Sequence, residues 1–197
     1  MGDYVTLPNY VIQKYRAGII PATQFSDILR LALLVEYGGI WVDSTVLITD
    51  SLPTYITDEP LFFFSSTVLQ GDVPLPHAGS NWLLSGCKGH PVWQRLLELL
   101  CTYWKHENSL IDYFVFHLFL YLLVTYNPQA QKHFIEMPHF CNSNPLYTQL
   151  RKPYSEKLWN NILWSSPVHK LTYKYTQDSG AHETIYDHIL NLKVEDL

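Results

Sequence analysis

The chain has 197 residues, 47% of them hydrophobic and 16% charged, which is material for one buried core and excludes a disordered or solvating polar protein. Thirteen Lys and Arg against eighteen Asp and Glu give a formal net charge of -5 with no basic block to track a phosphate backbone, so nucleic acid is not an expected partner. Cys87, Cys101 and Cys141 stand at spacings that suit neither a disulfide framework nor a structural zinc site, and a reducing compartment is compatible with them.

The first residues lack the basic segment and apolar run of a secretory signal. The most membrane-like stretch, 113–126, falls short of the roughly 20 apolar residues that cross a bilayer. These features predict a cytoplasmic protein without a transmembrane span, whose membrane contact is at most peripheral or through an assembly partner.

In chain order, Pro8 opens a short helix within 7–16, and 17–22 reads as a turn containing Gly and Pro. Residues 25–37 predict a helix with Ser26 or Asp27 as its N-cap and Gly38-Gly39 as its stop. Its apolar positions spread beyond one stripe, so it needs cover on two sides. A short buried strand follows at 40–42, ending at Asp43, and 46–48 extends the path toward Pro53.

Further strands are expected at 61–64 and 81–85, separated by a loop that carries Gly71, Pro74, Pro76, His77 and Gly79. Pro91 starts a helix, and a very apolar helix is expected at 111–126. After Asn127-Pro128 the pattern gives a helix near 156–163, an extended segment at 171–175 and a terminal helix near 183–190. No internal repeat or long linker divides the chain, which reads as a single domain over 1–197.

The most informative run is FSDILRLALLVEYGGIWVDST, residues 25–45. Paired glycines let the chain reverse closely, and a strand then carries Asp43 on supported backbone. A carboxylate there suits a hard divalent cation, and Ser44 and Thr45 suit a water or phosphate oxygen. Asp43 alone specifies no metal, and the same residue would serve as a structural strand cap.

This run, with Asn81-Trp82, Pro91-Val92-Trp93, the segment 110–114 and the segment 166–174, resembles the capsular polysaccharide synthesis family and, more distantly, sugar transferases with a DxD-type metal motif. The resemblance implies an α/β fold of the glycosyltransferase A type, a mixed sheet with flanking helices. It implies a partial or truncated form of that fold, lacking the usual N-terminal strand-helix section that supplies much of the nucleotide-base pocket. The implied activity is transfer of a sugar from a nucleotide-diphosphate donor to a carbohydrate hydroxyl, with retention of configuration. The alternative is a noncatalytic carbohydrate-binding or assembly protein derived from such a transferase.

The resemblance also implies site residues. Asp43 matches the first acid of the DxD-type pattern, while Thr45 stands at the second, as in the family's Trp-hydrophobic-Asp-small-Thr form. Mn2+ or Mg2+ is the implied cofactor, with Asp43 and His169 as metal ligands and Asp43, Ser44, Thr45 and Lys170 at the donor. Asp27 and Arg30 contact donor hydroxyls and diphosphate in that reading, or form a cap and a local ion pair in a plainer one. Asp112 orients or deprotonates a hydroxyl, or caps a helix. His77, Asn81 and Trp82 are the acceptor-site candidates, with core packing the competing role for Trp82 and Trp93. His117, on the apolar helix, reads as structural. Lys174 shares an alternation with Lys170 that two solvated lysines would share equally.

Overall fold

The computed structural model describes residues 4–65, 78–141, 146–175 and 182–193. Pro8 precedes helix α1 (Asn9–Arg16), and Pro21 precedes α2 (Ala22–Tyr37), which therefore begins three residues before the expected start. The Pro21 carbonyl takes the Phe25 amide at 2.9 Å and sets the first turn. Ser26 and Asp27 consequently lie inside α2, so neither is its N-cap.

The helix stops where expected, because Gly38 (φ 70°, ψ -160°) and Gly39 (φ 93°) take backbone angles that suit glycine. A Cβ on Gly38 would sit 2.6 Å from the Lys88 amide nitrogen, so the turn also needs glycine for space. Strand β1 (Gly39–Val42) follows, partly exposed rather than buried, and then β2 (Val46–Ile48) and the one-turn helix α3 (Thr54–Thr57).

Strands β3 (Leu61–Ser65) and β4 (Gly79–Gly86) lead into α4 (Pro91–His106), α5 (Val115–Tyr126) and α6 (Pro128–Glu136). A 3-10 turn at Leu146–Thr148 precedes α7 (Glu156–Ser165), β5 (Val168–Lys170) and α8 (Ile185–Asn191). Two differences from the sequence pattern have identifiable causes, one long-range and one local. The expected extended segment at 171–175 is replaced by β5, because the three residues of β2 set the register, pairing Val46 with Lys170 and Ile48 with Val168. Helix α6 had no expectation, yet Pro128 at its first turn and the Asn127 side chain, which accepts the Ala130 amide at 2.9 Å, define its start.

The chain forms two compact units. The first comprises Met1–Trp41 and Thr54–Cys141; the second comprises Val42–Pro53 and Asn142–Leu197. In the first, a three-stranded sheet has the order β1-β4-β3, with β3 and β4 antiparallel and Phe63 opposite Leu84. Helix α2 packs on α4 and against β4, and α5 packs on α4 and β4, with Ile28, Leu31, Leu96, Trp104, Phe116 and Leu120 fully buried in the shared core. This is the two-sided cover that the broad apolar surface of α2 requires.

The second unit is a two-stranded antiparallel ribbon, β2-β5, with a small core of Leu146, Leu150, Trp159, Ile162 and Ile185. The architecture is thus α/β with antiparallel pairing and flanking helices, and the strands of the described residues lie in two separate sheets instead of one larger mixed sheet. No helix among those residues is long and apolar enough to cross a membrane.

Candidate functional site

Asp43 follows directly on Val42, the last residue of β1. Within the second unit, the Lys170 ammonium donates to Asp43 Oδ2 at 3.1 Å and to Thr45 Oγ1 at 2.6 Å. The β2-β5 register fixes this meeting: Lys170 lies opposite Val46, and the Leu171 amide bonds the Thr45 carbonyl at 2.8 Å. Both charged side chains retain about a fifth to a quarter of their exposure, so the pair is reachable from solvent. Ser44, between the two acceptors, is exposed.

His169 is the strand neighbour of Lys170, and successive side chains of a strand leave opposite faces. Its ring is buried, and Nε2 lies 3.3 Å from Thr49 Oγ1. Burial pushes its pKa down, partly opposed by a hydrogen bond with the Ser166 backbone.

The Lys170 ammonium thus engages Asp43 Oδ2 and the Thr45 hydroxyl, while His169 Nε2 lies at the Thr49 hydroxyl. Among the described residues no group of three or more His, Cys, Asp or Glu gathers to hold a metal. One carboxylate and one neutral hydroxyl, each engaged by an ammonium, are a poor set for Mn2+ or Mg2+, which one or two free carboxylates hold together with waters and substrate phosphates.

The first unit holds a second polar cluster. Asp27 and Arg30, 7% and 5% exposed, lie 3.4 Å apart, and Asn81 Nδ2 donates to Asp27 Oδ1 at 2.9 Å. Arg30 also donates to the Asn81 carbonyl and, at 3.1 Å, to Ser26 Oγ, and its guanidinium lies 5.2 Å from the centre of the Trp41 ring. One arginine therefore ties α2 to β4 and to β1, two residues before Asp43.

Trp82 is buried and stacks on Phe64 at 4.8 Å, and Trp93, fully buried, donates its indole N–H to the Ser85 carbonyl. Asp112 accepts the Phe114 amide at 2.7 Å in the turn before α5, two residues ahead of the N-cap position, and Phe114 itself makes no side-chain cap. His77 lies outside the described residues. Lys174 lies beyond β5, and its amide bonds Thr172 Oγ1.

A cleft of about 660 Å3 in the second unit had no expectation attached to it. Thr49, Asp50, Ser51, Leu163, Trp164 and Ser166 contribute to its lining. Trp164 is 91% exposed, because it lies two residues past buried Ile162 and so about 200° around α7. A helical projection of 156–165 carries that signal, since Trp159 and Ile162 mark the core face and leave Trp164 off it.

Fold and site together define an α/β protein in which a strand-end carboxylate meets a lysine brought in by strand pairing. The family model described as capsular polysaccharide synthesis protein matches residues 1–189, and the chain belongs to that family. No curated protein and no solved structure matches it. The family description associates the chain with capsular polysaccharide synthesis.

Proposed function

We propose that the chain transfers a sugar from a nucleotide-diphosphate donor to a carbohydrate hydroxyl, on a fold of the glycosyltransferase A type. The observation that carries this reading is the Lys170 ammonium held by Asp43 and Thr45, in a chain of a polysaccharide-synthesis family. A fixed, partly exposed cation is suited to the negative charge that grows on a departing diphosphate.

In the reaction, an acceptor hydroxyl oxygen forms a bond to the anomeric carbon while the bond from that carbon to the diphosphate oxygen breaks. The nucleoside diphosphate leaves with the electron pair. Lys170 faces the phosphate oxygens, Asp43 orients the lysine, and the exposed Ser44 hydroxyl donates a further hydrogen bond. Same-face attack, in which an oxygen of the leaving phosphate takes the acceptor hydroxyl proton, gives retention. Asp27, Arg30 and Asn81 are positioning residues that hold the helix and strand leading to Asp43. The exposed ring of Trp164, with Asp50 and Ser51 at the polar edge of its cleft, offers a surface on which a carbohydrate acceptor stacks.

Screening nucleotide sugars with oligosaccharide acceptors tests the reading through release of nucleoside diphosphate. Trp164→Ala is expected to raise the acceptor KM about tenfold while the donor KM stays near wild type. Oligosaccharide binding without consumption of any donor would instead support the noncatalytic reading.

A further inference from the structure

The transferase reading leaves open what neutralises the donor diphosphate. We propose that Lys170 is the built-in cation of this site and that it takes the place of a divalent metal, an inference that rests on the transferase reading. The ammonium bridges Asp43 and Thr45, the two positions of the acid motif whose oxygens would otherwise meet an ion.

Three further features support this assignment. The lysine is fixed by strand register rather than by chance approach of a long surface side chain, since Val46 and Lys170 are paired residues of β2 and β5. The site offers a single carboxylate and a neutral hydroxyl, at the low end of the one or two carboxylates that hold Mg2+ together with waters and substrate phosphates, and the ammonium already occupies an oxygen of each. His169, the remaining metal-ligand candidate, is buried with Thr49 on the other face of β5. A divalent ion at Asp43 would have to displace the ammonium and then repel it at short range. A phosphate oxygen approaching the partly exposed ammonium meets an opposite charge already in position.

The test is calorimetric titration with uridine, guanosine, adenosine and cytidine diphosphates, in EDTA and in Mn2+, alongside an electron-paramagnetic-resonance titration of Mn2+ alone. At least one nucleoside diphosphate is expected to bind wild type with affinities within about twofold in the two conditions. Mn2+ alone is expected to keep its free-ion signal. In EDTA, Lys170→Met is expected to weaken that diphosphate roughly 10- to 100-fold, the loss of a charged hydrogen bond, while Lys170→Arg retains most of the affinity.

Circular dichroism checks the fold of each variant, and the wild-type EDTA comparison needs no variant at all. Binding abolished by EDTA and restored by Mn2+ would overturn the built-in cation and leave the transferase reading standing. Unchanged binding by a folded Lys170→Met would overturn it as well. If no nucleoside diphosphate binds in either condition, the transferase reading falls first and this inference falls with it.

Discussion

Asp43 and Lys170 are 127 residues apart in the chain, and the donor hypothesis depends on their meeting. Asp43→Asn keeps the size of the side chain but removes the charge that orients the ammonium. It is expected to lower kcat/KM for the donor about 100-fold, measured by nucleoside-diphosphate release. A second residue-scale consequence concerns His90. Its Nδ1 accepts the Val92 amide at 3.3 Å and caps α4, which requires an unprotonated nitrogen. Burial, with the neighbouring His133, lowers its pKa from 6.5 to about 4. The unfolded chain therefore takes up a proton near pH 6.5 that the folded chain refuses, so stability present above pH 6.5 is lost as the pH falls toward 4. Urea unfolding midpoints should drop over that window. His90→Asn, which keeps a capping oxygen without the titration, should flatten part of the drop; the buried His169 contributes the same sign and remains.

At the scale of elements, the helix-glycine-strand run is the best-determined part of the molecule. Gly38 combines a backbone conformation almost confined to glycine with contact against the turn between β4 and α4. Gly38→Ala is expected to destabilise the chain by about 2 to 5 kcal/mol, from backbone strain and steric crowding together, read from the shift in urea midpoint. Arg30→Met tests the tie between α2 and β4: it leaves the buried Asp27 carboxylate without its cation and should cost about 3 kcal/mol. The double variant with Asp27→Asn should recover part of that loss, because the buried charge is then gone.

These elements were legible in the sequence to different degrees, for physical reasons. Gly38-Gly39 and the acid three residues after β1's second residue are local signals, so helix end, strand and Asp43 all follow from neighbouring residues. The start of α2 was misplaced because Ser26 and Asp27 resemble caps, whereas Pro21 sets the first turn and those side chains serve Arg30. The position of β5 depends on β2 more than 100 residues earlier, and a period-two pattern in 171–175 carries no information about that pairing.

For the whole molecule, composition pointed to ample core, the α/β class came with the family resemblance read from scattered motifs, and the family model matches that resemblance over 1–189. The sequence shows no linker, yet two compact units form, because 42–53 pairs with residues from the last third of the chain and leaves the first core. A partner for Asp43 was hidden for the same reason: Lys170 enters the site through tertiary pairing, and the metal expectation was drawn from the acid motif without it. Trp164 was overlooked although its signal is local: projected on a helix, 156–165 places it off the face that Trp159 and Ile162 mark as core.

The most direct measurement of donor chemistry is a nucleotide-sugar panel incubated with the wild-type chain and with Asp43→Asn, followed by release of nucleoside diphosphate. The expected result is consumption of at least one donor by wild type and a rate about 100-fold lower for the variant. Equal rates for the two proteins, or no donor consumed across the panel, would contradict the assignment of this strand-end carboxylate to sugar transfer.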